Sequence, residues 1–120
     1  MESAAGRILI VDDDEALLKL MAAYLTRLGY SVDACPSAEE AWALVEANPS
    51  TYSQALVDLN MKGMRGEELA RRILACYPSI RLVVVSGDSS ELCRADTPGG
   101  ARAAYLPKPF TPKQLIDAVR

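Results

Sequence analysis

Histidine is absent from this chain of 120 residues. Cysteine occurs three times, at Cys35, Cys76 and Cys93, widely spaced and never as CxxC. Without His or a paired-cysteine motif no zinc-binding pattern is present. An odd number of distant thiols does not make a disulfide framework either, so these read as reduced thiols at partly buried positions, and the natural compartment is the cytoplasm. Clusters of positive charge are also lacking. Thirteen Lys and Arg against 16 Asp and Glu leave a net charge of -3, and no basic stripe offers itself to nucleic acid. No apolar run is long enough to span a bilayer, and the amino terminus lacks a charged-then-apolar signal pattern. Repeats, linkers and low-complexity segments are missing as well. The balance that remains is ordinary for a globular domain: half the residues hydrophobic and 24% charged. The length suits one domain with a real core. We take 1–120 as that domain, with its core over about 7–120.

The chain is organised around Gln54-Ala55-Leu56-Val57-Asp58-Leu59-Asn60-Met61, an apolar run that ends on a carboxylate. It is too short for a good helix and lies between loop-like Pro49-Ser50-Thr51 and Lys62-Gly63-Met64-Arg65-Gly66. A charge at the end of a buried strand is costly unless it has a partner, so Asp58 is expected where a central strand leaves its sheet. Arg7-Ile8-Leu9-Ile10-Val11 is an apolar run without alternation, a strand covered on both faces. It ends on Asp12-Asp13-Asp14. A helix follows with Leu17, Met21, Tyr24, Leu25 and Leu28 on one face, Asp14 and Glu15 at its positive end and Gly29 as its stop. Tyr30 to Cys35 alternates like an edge strand. Ser37 with Glu40 is a capping box for a second helix carrying Ala41, Trp42, Leu44 and Val45, which ends by Asn48-Pro49.

After the central strand, Leu69, Ile73, Leu74 and Tyr77 mark a third amphipathic helix. Arg81 to Ser86 is the plainest β run in the chain. A short, poorly patterned fourth helix covers Ser89 to Ala95, and a last strand covers Ala103 to Leu106. Pro107-Lys108-Pro109-Phe110 leads to Thr111, which caps a fifth helix with Pro112 in its first turn, Gln114 completing the box, and Leu115, Ile116 and Val119 on its apolar face. Five strands alternating with five helices demand an α/β fold, a parallel sheet with helices on both faces. Ligands of such sheets bind beyond the carboxyl ends of the strands, where the winding reverses. Asp12 to Asp14, Asp58, Ser86 and Lys108 all fall at such ends.

Carboxylates held together repel, and a hard divalent cation relieves the repulsion. Mg²⁺ favours one or two carboxylates with water and phosphate oxygens. Asp13 and Asp58 form a plausible ligand pair, with Asp12 nearby or acting through water, whereas Asp14 is better explained as a helix cap. A carboxylate is also a nucleophile toward a phosphoryl group, provided positive charge sits at the phosphoryl oxygens. The cation supplies part of that charge, the Lys108 ammonium the rest, and the Ser86 hydroxyl adds a donor. Taken singly, a Lys between prolines is ordinary loop punctuation and a Ser at a strand end ordinarily bonds to backbone. Their joint placement at strand ends is what argues for chemistry.

Four motifs in register, Ile8 to Asp14, Leu56 to Met61, Val83 to Gly87 and Tyr105 to Phe110, resemble the receiver domains of two-component response regulators, the CheY-like family. The resemblance runs from about Arg7 to the end. It implies a doubly wound, flavodoxin-like sheet of order 2-1-3-4-5. It implies that Asp58 accepts a phosphoryl group from a sensor histidine kinase or histidine phosphotransfer domain. Asp12, Asp13, Asp58 and the backbone carbonyl of Asn60 would hold Mg²⁺ (or Mn²⁺). Ser86 and Tyr105 would act as switch residues, Asn60 and Asp88 would tune dephosphorylation, and the Lys108-Pro109 bond would be cis. Output would leave through the surface of the fourth helix, fifth strand and fifth helix to a downstream domain or protein, with neither nucleic acid nor membrane bound by this domain. Such a domain assists its own phosphorylation and dephosphorylation but is not a stand-alone enzyme, unless it belongs to a hybrid histidine kinase. The chain departs from the family in carrying Lys62 where Pro is common, in an approach to the last strand one residue long, and in its weak fourth helix. Two alternatives stay open: a haloacid-dehalogenase-like phosphatase with Asp12 as nucleophile, and a receiver-like binding module that is never phosphorylated.

Overall fold

Apolar runs without polar alternation become the inner strands of one parallel sheet. The computed structural model describes residues 7–59, 61, 66–86 and 103–119. Its strands are β1 (Arg7–Val11), β2 (Ser31–Cys35), β3 (Tyr52–Asp58), β4 (Arg81–Ser86) and β5 (Ala103–Pro107). They lie in the order β2-β1-β3-β4-β5, every pair parallel. The order reverses at β1, which sits between β2 and β3, so the winding switches between the carboxyl ends of β1 and β3.

The inner strands bury both faces, and successive side chains alternate between two cores. Leu9, Val11, Ala55, Val57, Leu82 and Val84 face one core; Ile8, Ile10, Leu56, Val83 and Val85 face the other. Helices α2 (Ala38–Ala47) and α3 (Gly66–Cys76) cover the first, and α1 (Glu15–Arg27) and α4 (Pro112–Val119) the second. Four α-helices are present among the described residues rather than five. The fourth helix expected over Ser89 to Ala95 lies outside them, so α4 is the helix capped at Thr111.

The local signals act as the sequence reading expects. Asp14 caps α1 by accepting from the Leu17 amide at 3.2 Å. Ser37 accepts from the Glu40 amide at 3.2 Å, and Thr111 and Gln114 form a reciprocal box at 2.8 and 3.1 Å. Gly29 ends α1 at φ 98, with the Gly29 and Tyr30 amides bonded back to the Thr26 and Leu25 carbonyls.

Two helix faces are corrected. In α1 the buried stripe is Leu18, Met21 and Leu25; Leu17 and Tyr24 flank it, and Leu28, the C-cap residue, is exposed. In α2, Ala38, Ala41 and Val45 are buried and Trp42 is half-buried, while Leu44 faces out. In each case the buried stripe follows positions i, i+3 and i+7; Leu44 lies about a quarter-turn off it, and Leu28 is the C-cap residue, beyond the last residue of the helix.

The amino-terminal edge of the sheet is tied by polar contacts. Arg7 pairs with Asp33 at 2.7 Å, and the Tyr52 hydroxyl donates to the same carboxylate at 2.7 Å. Burial first, then the Asp33 hydrogen bond and charge, push the Tyr52 phenol well above its ordinary value. Gln54, nearly fully buried, donates from Nε2 to the Val119 carbonyl at 2.7 Å. Arg81 donates to Gln54 Oε1 at 3.0 Å and to the Ala118 carbonyl at 2.7 Å. These bonds satisfy carbonyls left open at the end of α4 and put a cation at its negative pole.

Candidate functional site

Sheet register brings the carboxylates together. Val11 is paired with Val57, so the residues that follow them, Asp12 and Asp58, leave adjacent strands side by side. Asp58 is itself paired with Val85 of β4, and Ser86 with Pro107 of β5. The Lys108 amide then donates to the Ser86 carbonyl at 2.8 Å, which starts the Lys108 side chain at the same edge. The Lys108-Pro109 bond is cis.

The resulting site is acidic and mostly buried. Asp12, Asp58 and Ser86 are 1%, 4% and 1% exposed, while Asp13 is exposed. One oxygen from each of Asp12, Asp13 and Asp58 lies within 4.8 Å of the others. Lys108 Nζ stands 3.0 Å from Asp12 Oδ2 and 3.3 Å from Asp58 Oδ2. Asp12 Oδ1 accepts from the Asp14 amide at 2.9 Å. Its Oδ2 is buried and forms no hydrogen bond among the described residues, since the Lys108 contact is an ion pair without hydrogen-bond alignment.

One ammonium thus pairs with two carboxylates, Asp12 and Asp58. Burial alone would lower the Lys108 pKa, but the neighbouring Asp12 and then Asp58 outweigh it and raise it above its ordinary 10.5. The donor set fits a hard divalent cation: all ligands are oxygens, two come from buried carboxylates, and Asp12 Oδ2 has unused accepting capacity.

These are the residues the sequence singled out: Asp12, Asp13, Asp58, Ser86 and Lys108 meet at one edge, and Asp14 serves as a cap. Asn60, Gly87 and Asp88 lie outside the described residues, as do Lys62, Cys93 and the segment from Gly99 to Arg102. Tyr105 pairs through its backbone with Val84, while its side chain is outside the description. One residue at this edge was read only as loop. Gly66 is the first residue of α3 and packs against the Asp58 backbone. Its signal was available in the sequence, since Gly66 immediately precedes the helical pattern of Glu67 to Ile73.

A sequence model of the response regulator receiver domain matches residues 8–120. The chain belongs to that family. It is 30% identical over 118 residues to the sensor kinase CckA of Brucella abortus, covering 98% of this chain and 12% of that protein. To the regulatory protein VanRB of Enterococcus faecalis it is 31% identical over 115 residues, covering 94% of this chain and 50% of the relative. The chain therefore spans half or less of these relatives' own length. Among solved structures, the response regulator TrrA of Thermotoga maritima in complex with Mg(2+)-BeF is 27% identical with a TM-score of 0.83, covering 95% of this chain and 96% of TrrA. The CheY-like, five-stranded parallel fold is shared with these receivers.

Proposed function

We propose that this receiver domain is a phosphoryl-accepting switch in a two-component phosphorelay, with Asp58 as acceptor. The observation that carries the proposal is the position of Lys108 Nζ, within 3.3 Å of both Asp12 and Asp58 at the switch point of the sheet. A Mg²⁺ or Mn²⁺ ion held by Asp12, Asp13, Asp58 and the Asn60 carbonyl would neutralise charge on the phosphoryl oxygens. An Asp58 carboxylate oxygen attacks phosphorus as the bond to the donor's histidine nitrogen breaks. The leaving electron pair returns to the imidazole, which takes a proton. Lys108 supplies the fixed positive charge that the new acyl phosphate needs, and Ser86 supplies a hydroxyl donor.

The donor is a sensor histidine kinase or histidine phosphotransfer domain. The phosphoryl group adds roughly one to two negative charges and three acceptor oxygens. It acts by favouring one of two packings, with Ser86 moving toward it and Tyr105 turning inward. The altered surface would be that of β5, α4 and the Ser89 to Ala95 segment, where the sequence reading expects the fourth helix, and it would engage a downstream domain or protein. Asn60 and Asp88, in the roles the family resemblance implies, would tune hydrolysis and make the signal transient. The whole unit, 1–120, acts as one domain, and we assign it to the cytoplasm. Among the described residues no helix is long and apolar enough to cross a membrane.

Incubation with Mg²⁺ and acetyl phosphate, followed by mapping of the acyl phosphate, tests the assignment. Label on Asp58, lost in Asp58→Asn, is the expected result. Label on Asp12 would make the chain a haloacid-dehalogenase-like enzyme, and no label would make it a binding module.

A further inference from the structure

We propose that Gly66 is a positioning residue for the Asp58 carboxylate, holding the Asp58-Leu59 peptide in the one orientation that lets Asp58 meet Asp12 and Lys108. The proposal rests on the assignment of Asp58 as metal ligand and phosphoryl acceptor. Gly66 opens α3, and a Cβ built on it would overlap the Asp58 carbonyl group and stand 2.9 Å from Leu59 Cα. Its φ is outside the left-handed region, so space, and not backbone freedom, demands glycine here.

The same peptide unit is gripped from its other side. The Leu59 amide donates to the Val85 carbonyl at 2.9 Å. The unit that follows Asp58 is therefore clamped between β4, which takes its N–H, and the first residue of α3, which its C=O abuts. An added methyl group forces a choice between moving the helix and turning the peptide. The helix is firmly seated, since Leu69, Ala70 and Ile73 are fully buried, and close-packed interiors resist such shifts. Asp58 is the last residue of β3, and Leu59 lies just beyond the sheet's paired residues, so the peptide gives way. Turning it strains the Leu59 bond to Val85 and swings the Asp58 side chain away from Asp12 and Lys108. Misplacement of a reacting group by about 1 Å is enough to cost on the order of a hundredfold.

The test compares Gly66→Ala with two controls in the whole chain. Ile73→Val loosens α3 from within the core, and Gly29→Ala strains a distant turn at φ 98 with nothing within 4 Å. Mg²⁺ affinity is measured by calorimetric titration, and exchange of the Leu59 amide by NMR, in trimethylamine oxide where needed to hold each variant folded. Gly66→Ala is expected to lose tenfold or more in Mg²⁺ affinity and to speed Leu59 amide exchange relative to other β3 amides. Both controls are expected to keep Mg²⁺ affinity within twofold of the unsubstituted chain. A folded Gly66→Ala with unchanged affinity overturns the proposal. So does failure of Gly66→Ala to fold even in the osmolyte, which would make Gly66 a packing residue. Absence of Mg²⁺ binding by the unsubstituted chain is a different failure, which removes the metal assignment and this proposal with it.

Discussion

Lys108 Nζ lies 3.0 Å from Oδ2 of Asp12, a carboxylate whose side chain is 1% exposed. The partners come from opposite ends of the sequence and meet because β5 delivers Lys108 to the edge where β1 ends. Removing one member of such a pair leaves the other charge buried and uncompensated. Lys108→Met is expected to lower stability by about 3 kcal/mol in metal-free buffer, and by less in excess Mg²⁺, which would take over the neutralising role. Denaturant unfolding with and without Mg²⁺ measures both. The pH dependence has a definite sign. Because Lys108 is raised above 10.5 in the folded state, its contribution is complete below that pH and is lost as pH rises through the folded value. The stability difference between the unsubstituted chain and Lys108→Met should stay level from pH 7 to about 10 and shrink above 10.5. A difference that shrinks near neutrality would count against the ion pair.

The site was legible in the sequence because its residues sit at the ends of strong strand signals. Arg7–Val11 and Arg81–Ser86 match the expected runs residue for residue. Parallel alternation then forces their carboxyl ends to one side of the sheet. Partners far apart in sequence were not legible. Nothing local in Gln54 announces a bond to the Val119 carbonyl 65 residues away, and an Arg opening a strand reads as solvent-exposed whether or not it reaches a helix end. Helix faces were half-legible. Leu17, Leu18, Leu20 and Met21 are all apolar, so the pattern leaves the angle of the stripe open by a residue, and packing in the core decides for Leu18, with Leu17 at its flank. The exposure of Asp13 was also missed. The sequence reading pairs Asp13 with Asp58 ahead of Asp12, whereas in the structure Asp12 is the buried one and Asp13 the exposed one, with an oxygen of each within 4.8 Å of Asp58.

The thiols differ enough to be told apart by chemistry. Cys35 is 4% exposed at the end of β2, whereas Cys76 is exposed at the end of α3. Burial first, then the charges of Glu40 and Asp33, push the Cys35 thiol up to about 11. The thiolate is the reactive form, so iodoacetamide at pH 8 should modify Cys76 at least about tenfold faster than Cys35, read by peptide mass spectrometry. Equal rates would mean that β2 opens readily at its carboxyl end.

Arg81 ties the last turn of α4 to the sheet. Its donors hold both the Ala118 carbonyl and Gln54 Oε1, and Gln54 in turn holds Val119. Arg81→Ala breaks two bonds and leaves a nearly buried amide oxygen short of its donor. A loss of roughly 1 kcal/mol is expected, because part of the contact is open to water. Amide exchange should accelerate in the last turn of α4 and leave the Thr111–Gln114 box, at the other end, unaffected. Uniform acceleration along α4 would instead mean that the helix detaches as one body.

The charge of Asp58 and a bound Mg²⁺ are expected to pull stability in opposite directions. Asp58 is 4% exposed and shares its edge with Asp12 and Asp13, their oxygens within 4.8 Å. Lys108 forms ion pairs with Asp12 and Asp58 at this edge. Like charges crowded at a buried edge repel one another. Asp58→Asn removes the charge, keeps the shape and leaves an amide oxygen for Lys108. It should raise stability by about 1 kcal/mol without metal. Mg²⁺ is expected to reverse the order. A ligand at about a hundred times its dissociation constant adds about 2.7 kcal/mol to the state that binds it, and only the unsubstituted chain keeps the full carboxylate set. The two melting curves should therefore cross, with Asp58→Asn the more stable form in chelator and the unsubstituted chain the more stable in excess Mg²⁺. A crossing seen for Asp58→Asn but not for Asp117→Asn, an exposed acid on α4, would tie the effect to this site and not to general screening of a chain of net charge -3. If Asp58→Asn is destabilised in chelator, Lys108 already balances the edge without a metal. The repulsion that argues for a cation there would then be absent.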